Sequence, residues 1–303
     1  MRVFFCIKTT KMAYSQSGNG YAMIAVQYDA PGTRLEKLVS SFYRLDFEGH
    51  QFSEIERADR AQFRFQLRGV GEYQFASGQT APTYPATIIG PTTAPVRAVA
   101  SCPLTIFGWG MLPEGWVALM GKEAAEFVDC AIDAREIFGD AIMVLRHQLI
   151  QAGDFPAQRI IGKSFAKDIY SHGVTTAFEF TTKVDNWLLE HIDPDVDDLV
   201  RITGLSRRQL ERITKRYYGM PPKRLARKYR ALRAAQALAR GDSLDDTDLG
   251  LAFYDQSHLI RELKAFTGLT PTQLKSGQSE LTQVTMDGRR SLGGKVSMLI
   301  SES

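Results

Sequence analysis

The sequence is poor in the residues that announce chemistry. It holds three cysteines in 303 residues, Cys6, Cys102 and Cys130. An odd, widely spaced set builds no disulfide framework and contains no CxxC pair, so free thiols in a reducing compartment are expected. The five histidines are His50, His147, His172, His191 and His258. None stands in an HExxH, HxH or Cys-His spacing, which removes the usual zinc motifs. Gly69-Val70-Gly71 and Gly108-Trp109-Gly110 are GxG fragments. Neither opens into a GxGxxG phosphate loop, and both read as strand ends or bulges. GxSxG and GxxxxGK[ST] are absent. No catalytic residue, metal ligand or cofactor is assigned, and the expectation is a protein that is not an enzyme.

Long apolar runs are missing too. No stretch approaches the ~18 residues of a membrane span. The opening MRVFFCIKTTK lacks the ~7–15-residue apolar region of a secretory signal. A cytoplasmic protein without membrane contact is expected, with Met12 and Met23 as alternative starts. Charge of one sign is lacking overall: 37 Lys and Arg face 34 Asp and Glu, a net +3. With 44% hydrophobic and 23% charged residues the composition is ordinary globular, and the length suits two domains.

What is present is patterned. AQFRFQL alternates, with Phe63, Phe65 and Leu67 on one face and Gln62, Arg64 and Gln66 on the other, as a strand does. LVSSFYRLDF, EYQF, ATIIG, VRAVA and LTIFGWG are further strand candidates, punctuated by GQTAPTYP and GPTTAP. Short strands with turn-rich joins predict a small barrel or sandwich, with a cupin-like barrel among the options. After Pro113 the period becomes helical. The reading is an α+β chain: a poorly patterned arm over 1–35, a β-rich regulatory, effector or dimerisation domain with helices over 36–152, and a polar linker over 153–173. An all-helical domain follows over 174–276, and a Ser-, Gly- and Thr-rich disordered tail over 277–303.

The helical region repeats itself. LSRRQLERITKRYYGMPPKRL falls on YDQSHLIRELKAFTGLTPTQL without a gap, so that Leu210 meets Leu259, Gly219 meets Gly268 and Pro222 meets Pro271. Each copy reads as a short helix, a tight turn and a second helix, which is the helix-turn-helix shape. Ser206 with Gln209 spells a capping box, and Asp255 is the matching cap of the second copy. PPKRLARKYRALRAAQALARG between them predicts one helix of about 18 residues, roughly 27 Å long. Such a rod holds two reading helices about one DNA turn apart, roughly 34 Å. From Arg201 to Arg240 there are 13 Lys or Arg and one acid, Glu211. A solvated face mixes signs, whereas this excess fits a phosphate backbone.

On these residues the chain resembles the AraC/XylS family of transcription regulators. The likeness rests on FYDQSHLIRELKAFTGLTPTQL and GLSRRQLERITKRYYGMPPKRL, and spans about 100 residues, from about 175 to 275. It implies a seven-helix domain with two helix-turn-helix units in successive major grooves, preceded by a separate sensing or dimerising domain. LTIFGWGMLPEGWVALMGKEAAEFVD is similar to a β-rich domain found before this module in some members. The chain departs from the family at Ala252, where glycine is usual, and at Thr247 and Asp248, where apolar residues are usual. An acid and a hydroxyl at inward-facing positions are expected to loosen the first helix of the second unit.

In such a unit the start of the second helix meets base edges. The base-reading candidates are Arg207, Arg208, Glu211 and Arg212 in the first copy, and Gln256, Ser257, His258 and Arg261 in the second. Arg pairs with guanine, Gln with adenine, and Glu accepts from cytosine. Glu211 is equally an intrahelical partner of Lys215, and His258 equally a local or phosphate contact. Lys215, Arg216, Lys223, Arg227, Lys228 and Lys264 are phosphate candidates, and Thr270 caps a helix start where a phosphate fits. Tyr43, Arg64, Phe107, Trp109 and Trp116 are candidates to line an effector pocket, with burial in a β core as the plainer reading.

The expected function is sequence-specific regulation of transcription on double-stranded DNA. RNA polymerase, a small-molecule effector and a second copy of the chain are the further partners this admits. A non-specific architectural DNA-binding protein, or an enzyme or sensor carrying a DNA-binding tail, are the rival readings.

Overall fold

The structure is a computed structural model that describes residues 3–7, 10–17, 20–170, 178–245, 247–277 and 279–301, with side chains from residue 22 onward. Among the described residues twelve strands form two open antiparallel sheets. They are β1 (Val3–Ile7), β2 (Thr10–Ser17), β3 (Gly20–Asp29), β4 (Val39–Glu48), β5 (Gln51–Glu56) and β6 (Gln62–Arg68). Then come β7 (Gly71–Phe75), β8 (Thr80–Pro82), β9 (Ala86–Ile89), β10 (Val96–Ser101), β11 (Leu104–Met111) and β12 (Ala131–Asp133). The large sheet runs β1-β2-β3-β4-β11-β6-β9-β12 and the small one β5-β10-β7-β8. The barrel option is thereby replaced by two stacked open sheets.

Helices cover the outer face of the large sheet: α1 (Pro113–Met120), α2 (Arg135–Phe138), α3 (Ala141–Ala152) and α4 (Phe155–Tyr170). This third layer explains why β6 is buried on both faces. Phe63, Phe65 and Leu67 pack with Phe107, Trp109 and the helices, while Arg64 turns to the inter-sheet side and meets Tyr43 and Tyr73. A strand with both faces covered carries polar side chains inward only when they are paired, as Arg64 is with Glu56 at 2.6 Å.

Three boundaries move. The expected arm is in part a strand of the sheet: β3 pairs with β4 from Met23↔Glu48 to Asp29↔Phe42, and Ile24, Val26 and Tyr28 are buried. The expected linker is largely α4, whose Phe155, Gly162, Ala166 and Tyr170 are buried against the sheet; its last residues, 171–173, and the expected domain start, 174–177, lie outside the described residues. The expected disordered tail forms α12 (Glu280–Arg290) and α13 (Met298–Ser301). Leu281 and Val284 of α12 join the inter-sheet core, and Met286 joins the helical core. The error has one cause. Ser, Gly and Thr dilute the tail, yet its few apolar residues fall at helical spacing and find partners distant in sequence.

Among the described residues the helical domain has seven helices: α5 (Phe178–Glu190), α6 (Val196–Thr203), α7 (Arg207–Tyr218), α8 (Pro222–Ala239), α9 (Asp248–Leu251), α10 (Gln256–Thr267) and α11 (Pro271–Lys275). The rod α8 has the expected 18 residues. The repeat shows in the backbone, for α7 and α10 both end at a left-handed glycine, Gly219 at φ 76° and Gly268 at φ 75°. Each is followed by a helix with proline at its start.

Candidate nucleic-acid interface

The first unit is built on its caps. Asp195 caps α6 by accepting from the Asp197 amide, and Gly204 ends it. The Ser206 hydroxyl accepts from the Gln209 amide at 3.3 Å, while Gln209 Oε1 accepts from the Ser206 amide at 3.0 Å. This capping box sets the entry angle of α7. Leu210, Thr214 and Tyr218 are buried and hold the helix down, which leaves Arg208, Glu211, Arg212, Lys215 and Arg216 exposed on the opposite side. Arg207 is exposed and ion-paired with Asp197.

The second unit repeats the scheme with different chemistry. Asp255 caps α10, accepting from the His258 amide at 2.6 Å. Leu263 and Phe266 are buried, and Gln256, Ser257, Arg261 and Lys264 are exposed. His258 turns back: its Nδ1 accepts from the Tyr254 amide at 3.2 Å, and its ring meets Phe253 edge-on at 5.8 Å. The local bond expected of it is made through Nδ1. Thr247 is not inward-facing but exposed, with its hydroxyl capping α9 through the Gly250 amide at 3.0 Å; Asp248 is exposed as well. The helix they open is a single turn, and Leu251 at its end is 73% exposed.

The phosphate candidates divide. Lys215, Arg216, Lys223 and Lys264 are exposed. Arg227 instead donates to Glu262 of α10 at 3.1 and 2.6 Å, tying the rod to the second reader. Burial works to raise the Glu262 carboxyl, and the Arg227 hydrogen bond and charge outweigh it and hold it below the usual range. Lys228 is 3% exposed, so its expected phosphate role is corrected. Its ammonium donates to the carbonyls of Asp59 at 2.8 Å and Thr92 at 3.0 Å, both in the β-rich domain. Burial pushes its pKa down to about 7. Thr270 sits in its own capping box, which takes the amides of Thr270 and Gln273 away from any anion. Charge counting did not separate these roles, because an amphipathic rod between two domains spends part of its basic residues on the protein.

Sequence reasoning missed the loop that joins the domains. Between β5 and β6, Arg57, Ala58, Asp59 and Arg60 each reach across. Arg57 donates to Thr285 Oγ1 at 3.2 Å, the Ala58 amide to the Phe266 carbonyl at 2.7 Å, and Arg60 to the Leu299 carbonyl at 2.7 Å. Asp59 pairs with Arg289. Burial works to raise its carboxyl, but the charges of Arg289, Arg57 and Arg60 hold it far below the usual range. The string RADRA was the available signal: two arginines and an acid beside a strand whose neighbours are apolar.

The pocket candidates also divide. Tyr43 and Arg64 line a cavity of about 60 Å3 between the large sheet and α12. Phe107 and Trp109 are fully buried on the other face of that sheet and line nothing; they are core, and their assignment to a pocket is corrected. Alternation decides this, since Ile106 on the same strand faces the cavity and its neighbours cannot. Trp116 borders a smaller recess beside Lys228 and Tyr229, at the domain seam.

Among the described residues no helix is long and apolar enough to cross a membrane. No curated protein sequence matches the chain. Among solved structures, a point variant of apo ToxT from Vibrio cholerae strain SCE256 is similar at 11% identity over 80% of this chain and 97% of its own, with a TM-score of 0.47. Wild-type ToxT of that strain bound to an unsaturated fatty acid is similar at 9% identity, over 86% and 96%, with a TM-score of 0.42. The AraC-like transcriptional activator CuxR is similar at 14% identity, over 79% and 90%, with a TM-score of 0.31. A family model described as a helix-turn-helix domain matches residues 199–277, the stretch that holds both capped readers and the rod. The chain thus carries an AraC-type helix-turn-helix domain over residues 199–277.

Proposed function

We propose that the protein is a sequence-specific transcription regulator that reads two successive major grooves. The observation that carries this is a pair of capped helices, α7 and α10, joined through one 18-residue helix, with α10 held to it by Arg227–Glu262 and by Ala231 against Phe266. Each exposes short polar or guanidinium side chains from its first turns: Arg208, Glu211 and Arg212 on one, Gln256, Ser257 and Arg261 on the other. Glu211 is exposed, and among the described residues no ion pair within 4.0 Å joins it to Lys215, which favours its base-reading role. Lys215, Arg216, Lys223 and Lys264 supply the sequence-independent grip on phosphate.

The β-rich domain acts as the regulatory part. It touches the rod at Lys228 and the second reader at Phe266, so a change in how it sits shifts the population of DNA-competent arrangements. A small-molecule effector, a second copy of the chain or RNA polymerase is the partner that drives such a shift. The architectural alternative is weakened by Lys228, which is buried at the seam, and by Arg227, whose charge is shared with Glu262.

Selection from a random duplex library at about 150 mM salt tests the reading. Two short boxes about one turn apart are the expected result. Enrichment of one box only makes the second unit a backbone clamp, and binding without any sequence preference rejects the proposal. Regulation by docking is tested with Ala58→Asp, which places a charge between α8 and α10. A change in operator affinity is expected; unchanged affinity in a chain that scattering shows to be undocked rejects it.

A further inference from the structure

The two reading helices close on the β-rich domain in the same way. A Cβ placed on Gly219, at the end of α7, would lie 2.7 Å from Cγ2 of Val128 and 3.4 Å from the Pro91 ring. A Cβ placed on Gly268, at the end of α10, would lie 2.9 Å from Cγ2 of Ile55 and 3.4 Å from the Pro95 ring. Each closing glycine thus meets one proline and one β-branched side chain. Both prolines belong to a single loop, residues 91–95, between β9 and β10.

The rod docks on the same loop between those two points. Arg224 donates to the Thr93 carbonyl at 3.2 Å, and Lys228, one turn on, donates to the Thr92 carbonyl at 3.0 Å. The loop is held from behind as well. The Asp59 amide donates to Thr92 Oγ1 at 2.7 Å, and the Thr92 amide donates to the Asp59 carbonyl at 3.1 Å. The amide and hydroxyl of Thr93 donate to the Asp129 carboxylate at 2.8 and 2.6 Å. Thr92 and Thr93 are both buried. A short, fixed strap therefore touches the first unit, the rod and the second unit in turn.

The strap matters because the two units have separate apolar cores. Leu199, Leu210 and Leu225 belong to one, Phe253, Leu263 and Leu274 to the other, and the rod carries both. Any bend or twist of the rod moves one reader against the other. The strap resists this, since 91 and 95 stand at most ~14 Å apart even in a fully extended chain. One added base pair shifts a DNA box by about 3.4 Å and turns it by roughly 35°. The rod's bonds to the strap, at 3.0 and 3.2 Å, do not survive a displacement of that size. We propose that the 91–95 strap is a caliper: Pro91, Thr92, Thr93 and Pro95 are positioning residues that fix how far apart the two readers stand, and so decide which operator spacings the protein accepts. This rests on the two-groove reading above. It gives the β-rich domain a part in DNA specificity through spacing, beside the choice of bases made by α7 and α10.

The test uses the full chain and duplexes that keep the two selected boxes but change their separation by one or two base pairs in either direction. Affinity is read by fluorescence anisotropy. The unaltered chain is expected to lose roughly tenfold for one base pair. With two glycines inserted after Ala94, that loss is expected to shrink to about twofold, while base preference within each box stays the same. Pro95→Gly loosens the end at Gly268 and is expected to act in the same direction. It decides if the insertion fails to fold. Unaltered spacing dependence in the deciding variant overturns the caliper. The rod and the C-terminal segment, whose Leu299 and Met286 sit one in each core, then fix the spacing. An unaltered chain that accepts every separation equally also overturns it, as does a variant that loses affinity equally at all separations. Selection that yields no second box rejects the two-groove reading and the caliper with it, whereas two boxes with unchanged spacing dependence reject the caliper alone.

Discussion

The Ala58 amide donates to the Phe266 carbonyl at 2.7 Å, so a loop of the β-rich domain closes on the last turn of the second reading helix. The Ala58 side chain is buried between Ala231 of the rod and Phe266. Only a small residue fits that seam, and the contact makes the position of α10 depend on a domain more than two hundred positions away in sequence.

Base reading and phosphate grip separate experimentally. Arg261→Ala and Arg212→Ala are each expected to cost about 1–3 kcal/mol on the selected duplex and to relax preference at one position. Lys215→Ala is expected to weaken binding to all duplexes alike and to lower the salt slope by about one. Fluorescence anisotropy across a salt series on operator and scrambled DNA distinguishes the two.

Glu262 anchors the rod to the second reader through Arg227, with Arg230 at 3.7 Å. Glu262→Gln is expected to destabilise the chain by about 1–3 kcal/mol, because it leaves buried Arg230 with a weaker acceptor. Its folded carboxyl lies below the ordinary value, so the stabilisation is present above about pH 4.3 and lost as pH falls through the folded pKa. Denaturant melts at pH 7 and pH 3 measure both effects.

Lys228 gives the seam a pH dependence of definite sign. Its folded pKa, about 7, is below the ordinary 10.4 of a free lysine. Between those values the undocked state binds more protons, so docking strengthens as pH rises from about 7 toward 10. Hydrogen exchange of the Asp59 loop at pH 7 and pH 9, corrected for intrinsic rates, is expected to show that trend. Lys228→Met flattens it; an unchanged trend in that variant assigns it elsewhere.

The C-terminal segment is docked tightly enough to exclude one methyl group. A Cβ on Gly288 would lie 2.4 Å from Cδ2 of Tyr28. Gly288→Ala is expected to cost about 1–3 kcal/mol and to raise exchange across 280–301. Full protection of those amides in the variant would mean that Tyr28 gives way.

The single-turn helix α9 is expected to exchange fast without DNA and to gain protection on the operator, since Thr247 and Leu251 are exposed and no residue of the turn is buried. Protection equal to that of α6 in the free protein counts against it.

Local information wrote most of the DNA-binding domain. The caps at Ser206 and Asp255, the glycine ends at 219 and 268 and the length of the rod are contacts between near neighbours, so residue types at fixed spacing sufficed. Strand alternation likewise marked β6, and turn-rich joins set off β11, though not which face met helices and which met the second sheet. Phe107 and Tyr43 looked equivalent for that reason. Tertiary structure alone decided the fate of Lys228, Arg227 and residues 279–301. A basic side chain reads the same in sequence whether it meets a phosphate, a carboxylate or two carbonyl oxygens. What settles it is desolvation by elements that the chain brings back from far away, and that term has no local signature.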